Sequence, residues 1–345
     1  MCMENYKVKK DIESCNATRE EMTPGADGDR CCLSFKKVCM GDIPLLKEFF
    51  EKYPSRSCDY SIGGVLMWRE YFNYEYAIKD STLFLRGFDR DRGVELYYMP
   101  LGEMDSEQAS ELMMDASRED ARTPLFLYPE ESTFERYSEE LRESGDYLDE
   151  WKEYLYDIEQ FLHFSGKKME KKRNHLNYFM NHYDGFSVEP VTSGVAKELI
   201  EFTKEFAEGH ADSDMMNYES DRTIDVLREF DTYPFEGILV RYEGKVIGYT
   251  FGEKIGDTFF VHVEKGNILY RGVYQILSSK LAGYVNDRYP EVRYLNREED
   301  MGNELLRKSK ESYHPCMIVN KHQSGIPLFT LIEEAMMSMM AQSAS

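Results

Sequence analysis

Residues 263–281, VEKGNILYRGVYQILSSKL, carry the features that decide the fold: the end of a β-rich run, a turn at Gly272 and a helix. The first amide groups of such a helix have no partner within it, and the helix dipole makes this end attractive to anions. Arg271 places a positive charge beside the turn. We therefore expect Arg271 and the Gly272 backbone to bind a phosphate-bearing ligand, with a solvent-facing arginine beside a helix-starting glycine as the alternative.

The elements around this junction follow an order that occurs twice. The first copy runs from a strand at LSFKKV (33–38) through a helix, three β-rich runs and a second helix to the short strand PLFLY (124–128). After Phe186 a similar order returns, from FSVEPVT to CMIVNKH (316–322). This order predicts an α/β (α+β) chain of two similar units, each a mixed sheet flanked by helices.

The length of the chain fits two such units. At 345 residues it exceeds the usual size of one core, and units of roughly 150 residues are the norm. Hydrophobic residues make up 42% and aromatic residues 14%, which excludes a disordered chain. We divide the chain into a flexible tail (1–32), an N-terminal unit (33–150), a helical connector (151–185), a C-terminal unit (186–325) and a Met-rich C-terminal helix (326–345).

The connector carries the strongest local positive charge. Its stretch GKKMEKKRNHLNYFMNHY (166–183) has five basic side chains in its first eight positions, in a chain of formal net charge -22. On the second predicted helix of the connector, Lys167 and Lys171 are four residues apart, as are Lys168 and Lys172, so the lysines project together. The strip indicates a site for an anionic carrier, with a solvated helix face as the alternative.

No segment is typical of targeting or membrane insertion. The N-terminus MCMENYKVKK lacks an apolar stretch, and no run approaches the roughly 18 apolar residues that span a bilayer. The seven cysteines include no C-x-x-C pair, so we expect reduced thiols, with neither disulfides nor a metal site. These features predict a soluble, cytoplasmic protein without a metal cofactor.

The repeated unit resembles the GNAT acyltransferase fold, in which the loop after the fourth strand opens a helix that holds a cofactor pyrophosphate. The junction at 263–281 stands in that place. The usual loop pattern, Arg/Gln-x-x-Gly-x-Gly/Ala, is met at Gly272, whereas Leu269 stands at the Arg or Gln position and Tyr274 replaces the second small residue. A bulky residue there opposes close approach of a pyrophosphate, which puts ordinary acetyl-CoA binding in doubt.

Three longer blocks resemble the family named for the C-terminal domain of phosphatidylglycerol lysyltransferase, a tandem GNAT fold. They are SCDYS (57–61) with Trp68, YLYDIEQFLHFSGKKMEKKRNHLNYF (154–179) and YLNREEDMGNELLRKSKESYHP (294–315), and the resemblance covers about residues 33–322. It implies two tandem GNAT-like domains joined by the basic helical segment. The first domain is expected to be degenerate, because its corresponding loop, MPLGEMDSEQ, has no G-x-G and no Arg.

The resemblance implies transfer of an acyl or aminoacyl group from acyl-CoA or aminoacyl-tRNA to an amine or hydroxyl of a small-molecule or lipid acceptor. Such a reaction needs a carrier site, a proton acceptor and a group that protonates the leaving group. We expect catalysis from Tyr313, His314, Glu298 and Asp300. Carrier binding is expected from Arg271, Gly272, Lys168, Lys172, Arg173, Asn296 and Arg297.

Alternatives remain for these residues and for the donor. Tyr313 could anchor the turn before Pro315, Asp300 could cap the following helix, and Arg297 could pair with a neighbouring acid. The basic helix and Tyr274 favour a tRNA-like donor, whereas the net charge and the absence of a membrane segment favour acyl-CoA. A non-catalytic binding or regulatory module is the second functional hypothesis, because a fold does not guarantee chemistry.

Overall fold

In the computed structural model, the chain forms two seven-stranded sheets flanked by helices. The predicted N-terminal tail (1–32) and Met-rich C-terminal helix (326–345) lie outside the residues that the structure describes. Those residues are 33–102, 106–116, 124–129, 146–209 and 214–324.

Helices and strands are interspersed along the described chain. The helices are α1 (Ile43–Lys52), α2 (Ile62–Trp68), α3 (Ser106–Ala116), α4 (Ile158–His163), α5 (Glu170–His182), α6 (Ala196–Glu208), α7 (Asp214–Arg228), α8 (Val273–Arg288) and α9 (Glu304–Glu311). The strands are β1 (Lys36–Lys37), β2 (Glu75–Lys79), β3 (Thr82–Asp89), β4 (Val94–Tyr98), β5 (Pro124–Pro129), β6 (Asp146–Tyr147), β7 (Glu153–Asp157), β8 (Ser187–Pro190), β9 (Glu236–Tyr242), β10 (Lys245–Ile255), β11 (Thr258–Gly266), β12 (Tyr294–Glu299), β13 (Met317–Val319) and β14 (Lys321–Ser324).

Both sheets are mixed, and five strands have the same order in each: β1 to β5 in the first sheet correspond to β8 to β12 in the second. The first sheet has the order β1-β2-β3-β4-β5-β14-β6, and the second has the order β13-β7-β12-β11-β10-β9-β8. One neighbouring pair in each sheet is parallel, β4 with β5 and β11 with β12. The predicted fold class, an α/β (α+β) chain with two mixed sheets flanked by helices, is confirmed.

Two short strands pair outside the units that the sequence predicted for them. β7, which the sequence analysis placed in the helical connector, pairs with β12 and β13 in the second sheet. β14 follows β13 along the chain but pairs with β5 and β6 in the first sheet. The connector also contains the two predicted helices, and Asp157 caps α4 by accepting from the Glu159 amide. The boundary predicted at 150 therefore lies between β6 of the first sheet and β7 of the second, and the boundary predicted at 325 directly follows β14 of the first sheet.

One hydrophobic core joins the two units. Phe50 of α1 and Leu66 of α2 pack in the same cluster as Phe251 of β10 and Phe260 of β11. Neighbouring residues of a strand point to opposite faces of the sheet, so Phe259 joins a different core, formed with α4, α5 and α8. A fully buried phenylalanine contributes about 2 kcal/mol. β11 thus lies between the two cores, and the second core also packs β12 against the helices α5 and α8, which carry predicted site residues or adjoin them.

Two further expectations concern membrane helices and cysteines. Within the described chain, no helix combines the length and the apolar character needed to cross a bilayer. Cys58 and Cys316 are free thiols. Cys39 is disulfide-bonded, so the expectation of reduced thiols throughout is wrong at this position.

Candidate functional site

Strands β11 and β12 separate at the edge where the site was predicted. Their parallel pairing ends at Phe260 opposite Asn296, although both strands continue. β11 has a bulge opposite Gly252, which makes His262 the extra residue, and β12 is irregular between Asn296 and Glu299. Bulges end strand pairing and redirect side chains, so polar groups of both strands meet across this gap.

Arg297 and Glu264 form the first contact across the gap. Nη2 of Arg297 donates to Oε1 of Glu264 at 2.6 Å, and the Ser278 hydroxyl of α8 lies 3.3 Å from the other carboxylate oxygen. The pairing with a neighbouring acid was the structural alternative for Arg297. Nη1 of the same guanidinium is nevertheless buried without a hydrogen-bond partner among the described residues. One donor of Arg297 is therefore left for a ligand.

Tyr313 brings Arg297 together with the basic helix. Its ring centre lies 4.9 Å from the Arg297 guanidinium and 3.6 Å from Nζ of Lys172. Nε2 of Gln275 donates to the phenol oxygen at 2.6 Å, and Lys172 donates to the Ser312 hydroxyl at 2.6 Å. Three predicted residues from separate parts of the chain thus meet, and we call Lys172, Gln275, Arg297 and Tyr313 the cationic cluster.

The surroundings tune the protonation of this cluster. Burial lowers the pKa of Lys172 to about 8, and Arg297 adds to the effect. Burial raises the pKa of Tyr313, so its phenol is protonated at neutral pH. With a pKa of about 8, Lys172 keeps most of its positive charge at neutral pH, and a bound anion would favour the charged form further. A protonated tyrosine beside two cations can donate a hydrogen bond to a leaving oxygen.

His262 and Glu298 form the second contact across the gap. Nδ1 of His262 lies 2.6 Å from Oε1 of Glu298, and Nε2 lies 2.8 Å from Oε1 of Glu253. The Glu253 carboxylate also accepts from the Gly63 amide at 2.8 Å. A Cβ at position 63 would lie 2.4 Å from the imidazole, so the close approach of α2 requires glycine. The first unit therefore holds this triad in place.

The two carboxylates keep His262 charged. Burial alone acts to lower the pKa of His262, but the hydrogen bonds that its ring donates to both carboxylates outweigh burial and raise the pKa to about 9. Sequence analysis did not select His262. The sequence offered only a weak indication of this residue. His262 is a single histidine within the apolar strand TFFVHVEKG, and a lone histidine in such a strand is typical of a core position.

A buried acidic cluster lies next to the triad in sequence and structure. Nζ of Lys321 lies 2.9 Å from Asp59, 3.0 Å from Glu153 and 2.5 Å from Glu299. Burial raises the pKa of Glu153 to about 7, while Lys321 acts in the opposite direction. Since Lys321 belongs to the first sheet and Glu153 to the second, the cluster links the two units.

Part of this cluster has the residue types of a metal site. Ligand atoms of Cys58, Glu153 and Glu299 lie within 4.8 Å of one another. The Lys321 ammonium already lies against both carboxylates, and burial raises the pKa of the Cys58 thiol well above its usual value. A thiol must lose its proton to bind a metal, so this donor set does not fit a cation. The absence of a metal cofactor stays a prediction.

Glu298 and Asn296 owe their positions to the distorted end of β12. Glu298 has a φ of +57°, and its amide donates to Oδ1 of Asn296 at 2.7 Å. Nδ2 of Asn296 donates to Glu153 at 2.5 Å and to the Arg56 carbonyl at 2.7 Å. Asn296 is fully buried and thus holds Glu298 in place from within the protein.

Asp300 is fully occupied by internal contacts. Its oxygens accept from Tyr154 at 2.5 Å, from Gly302 at 2.9 Å, and from two nitrogens of Arg307 at 2.8 and 3.0 Å. The following helix is capped by Asn303, which corrects the alternative that Asp300 caps it. Asp300 therefore anchors the loop after β12, and we assign it no step in catalysis.

Arg173, His314 and Lys168 lie at the edge of the cluster. Arg173 donates to the carbonyls of Phe164 and Gly166, which end α4, so it fixes the entry to α5. His314 is exposed with a φ of +52°, and its Nε2 lies 3.2 Å from the Lys168 carbonyl. These contacts tie the Tyr313 segment to the start of the basic helix and leave the Lys168 side chain exposed.

The loop before α8 differs from the expected anion cradle. The amides of Leu269 and Tyr270 bond to Asn267, and the Arg271 amide donates to the Tyr183 hydroxyl. Gly272 has a φ of +94°, and a Cβ there would lie 2.4 Å from the His175 carbonyl of α5. The glycine thus allows α5 to pack on the helix start.

Comparison with known proteins decides the family. Residues 50–321 match the family described as phosphatidylglycerol lysyltransferase, C-terminal. The chain belongs to this family. The predicted family membership is therefore confirmed, and the match includes the gap between β11 and β12, the cationic cluster and the triad.

Solved structures share the fold of this family member. A conserved protein of unknown function from Bacteroides thetaiotaomicron VPI-5482 is 28% identical with a TM-score of 0.76, covering 84% of this chain and 98% of that one. L-PGS from Bacillus licheniformis is 12% identical with a TM-score of 0.53, covering 81% and 89%. The second likeness shows the fold alone.

One curated relative of this family member matches over a shorter range. An uncharacterised protein of Mycoplasmoides gallisepticum is 26% identical over 174 residues, which are 49% of this chain and 54% of that protein. The chain thus spans about half the length of the curated relative that it matches.

Proposed function

We propose that the protein is a GNAT-like acyltransferase, which transfers an acyl or aminoacyl group from a phosphate-bearing carrier to an amine or hydroxyl. The observation that carries this proposal is the convergence of Lys172, Arg297 and Tyr313 beside the gap between β11 and β12. Two cations, one of them with an unpartnered buried donor, suit a carrier phosphate or a developing oxyanion. Family membership supports the same class of reaction.

The proposed reaction is a direct displacement at an ester or thioester carbonyl. The acceptor nitrogen or oxygen forms a bond to the carbonyl carbon, the bond from that carbon to the carrier breaks, and the carrier leaves as an alcohol or thiol. Glu298 takes the proton from the acceptor, and His262 positions Glu298 through the 2.6 Å hydrogen bond. Tyr313 donates the proton to the leaving group, since burial keeps its phenol protonated.

Within this proposal, aminoacyl-tRNA is the favoured donor. The packing of α5 on Gly272 and the bonded amides of the preceding loop oppose a CoA pyrophosphate at the start of α8. Lys168 and Lys172 offer positive charge at the start of α5, where a tRNA acceptor end can lie. Acyl-CoA is the second donor, and the acceptor is a small molecule or a lipid.

A ligand-dependent unfolding experiment tests the carrier. We would measure the unfolding midpoint with acetyl-CoA, longer acyl-CoAs, aminoacylated tRNA and uncharged tRNA, because a ligand that binds only the folded state raises it. The proposal is supported if aminoacylated tRNA raises the unfolding midpoint, if Lys172→Gln removes this rise, and if Lys167→Gln preserves it. A rise with acyl-CoA alone assigns the second donor, and no rise with any carrier contradicts carrier binding.

A non-catalytic binding module is the second candidate function. The loop at Leu269 to Gly272 favours it, because its amides are used within the protein and its helix start is covered by α5. In that case the cationic cluster binds an anionic ligand without transferring a group. A carrier that raises the unfolding midpoint and is never consumed with any acceptor favours this second function.

A further inference from the structure

The loop of residues 267–271, between β11 and α8, presents two large apolar side chains to solvent. Ile268 is 68% exposed and Leu269 is 83% exposed. The loop is held in this conformation, because the Leu269 amide donates to Oδ1 of Asn267 at 3.0 Å and the Arg271 amide donates to the Tyr183 hydroxyl at 3.2 Å. A fixed loop with an adjacent apolar pair at its tip is typical of an interaction site.

Tyrosines surround the base of this loop. The rings of Tyr183 and Tyr270 are 5.4 Å apart, and both contact Tyr242, at 5.3 and 6.0 Å. The Arg271 guanidinium lies 4.4 Å from the Tyr178 ring centre. Tyrosine has an apolar ring and a polar hydroxyl, and it is enriched where a protein meets the interface between lipid and water.

The adjoining face of α5 carries positive charge. Lys171, His175, Tyr178 and His182 follow helical spacing and share one face. Lys171 and Arg271 make no ion pair with any residue that the structure describes, although the chain has a net charge of -22. Nζ of Lys172 instead donates to the Ser312 hydroxyl. Burial lowers the pKa of His175, so the positive charge here comes from Lys171 and Arg271, two cations on an acidic protein that are complementary to an anionic surface.

We propose that loop 267–271 and the outer face of α5 dock the protein on an anionic lipid surface. Ile268 and Leu269 enter the apolar layer, the tyrosines lie at the level of the headgroups, and Lys171 with Arg271 contacts the lipid phosphates. Phosphate contacts alone would equally suit RNA, but exposed aliphatic tips add nothing to binding a nucleic acid backbone and gain free energy in lipid.

Docking at this face would place the proposed reaction close to the lipid. Gly272 follows the loop directly and is the N-cap of α8. Gln275 of α8 contacts Tyr313. The inference goes beyond the proposed function, because a surface can hold the protein whether or not a group is transferred. It concerns a peripheral contact, made by one loop and one helix face.

Sedimentation of the full-length chain with vesicles tests the docking face. We would compare vesicles of phosphatidylcholine alone with mixtures containing phosphatidylserine or phosphatidylglycerol in equal amount. We expect binding to both anionic mixtures and weakening with salt. The Ile268→Ser, Leu269→Ser variant should bind about tenfold more weakly. The Lys171→Glu, Arg271→Glu variant should lose the preference for anionic mixtures.

A matched pair controls for exposed apolar residues elsewhere. Leu305 and Leu306 are also adjacent, exposed and apolar, but they follow Glu304 at the start of α9. The Leu305→Ser, Leu306→Ser variant should bind vesicles like the unchanged protein. As a second readout, the added tryptophan of Leu269→Trp should shift its emission to shorter wavelength on anionic vesicles.

Three results would overturn this inference. One is no sedimentation of the unchanged chain with either anionic mixture, as expected if another segment of the chain covers the loop. Another is an equal loss of vesicle binding in the Ile268→Ser, Leu269→Ser variant and in the Leu305→Ser, Leu306→Ser variant. The third is binding to phosphatidylglycerol mixtures alone, which would indicate recognition of one headgroup. The rise of the unfolding midpoint with carrier is also measured on the Ile268→Ser, Leu269→Ser variant. A retained rise shows that the proposed carrier site still binds its ligand, so a failure of docking is distinguished from a failure of the proposed function.

Discussion

Nζ of Lys172 lies 3.6 Å from the ring centre of Tyr313, although 141 positions separate the two residues in the chain, counted from 172 to 313. The contact joins the basic helix to the segment after α9. It gives the lysine strip a defined neighbour, because Lys172 also donates to Ser312. Lys172 is thus part of the cationic cluster, whereas Lys167 and Lys171 remain exposed.

Removing the charge of Lys172 should weaken carrier binding. For Lys172→Gln we expect about tenfold lower affinity for the carrier, because a charge-assisted contact to phosphate is lost. Equilibrium binding at several salt concentrations measures this, and the salt dependence should also become shallower. Lys167→Gln is the matched control, and an equal effect of both variants would return the strip to a general electrostatic role.

Tyr313→Phe should lower turnover and leave carrier affinity almost unchanged. The ring packing on Phe161 is retained, and only the hydroxyl that accepts from Gln275 is lost. We expect a decrease of about 100-fold in kcat, the usual contribution of a general acid. Unchanged kcat would assign Tyr313 to packing alone, which was the alternative from the sequence.

The charge of His262 should make stability depend on pH. Its folded-state pKa of about 9 exceeds the ordinary value of 6.5, so the imidazolium contributes stability below pH 6.5 that is lost as the pH rises towards 9. The loss corresponds to about 3 kcal/mol. Urea unfolding across this window should show a falling free energy for the unchanged protein and a flatter profile for His262→Gln. Parallel profiles would contradict a charged His262.

Gly272→Ala should destabilise the protein more than Gly244→Ala. Both glycines have positive φ, +94° and +78°, but a Cβ at 272 meets the His175 carbonyl at 2.4 Å while nothing lies within 4 Å at 244. We expect a cost of about 1 kcal/mol at 244 and about 3 kcal/mol at 272. Chemical unfolding measures both. Equal costs would show that α5 does not pack on the start of α8.

The sequence allowed the fold class and several site residues to be predicted, for physical reasons. The repeated order of strands and helices and the two connector helices follow from apolar periodicity and capping, which are local. Strand β7 was missed because a short aromatic run such as YLY does not distinguish strand from helix. Helix α7 was left unassigned, although it packs on Trp68 through Tyr218.

The candidate site was predicted only in part. Lys172, Arg297 and Tyr313 were selected from the lysine strip and the family resemblance, whereas the pairing of His262 with Glu253 and Glu298 depends on a β-bulge and on Gly63 of the other unit. Such long-range packing has no local signal. For the same reason the sequence could not show that Asp300 is saturated by Arg307 and Tyr154.

Group transfer itself is the central claim, and acceptor-dependent consumption of the carrier measures it most directly. Radiolabelled aminoacyl-tRNA and acyl-CoA would each be incubated with the protein and with amine, hydroxyl and lipid acceptors, and the carrier ester and the product would be quantified. The account predicts loss of the label from aminoacyl-tRNA only when an acceptor is present, about 100-fold slower with Tyr313→Phe. Binding of the carrier without any acceptor-dependent loss would contradict it and leave a binding module.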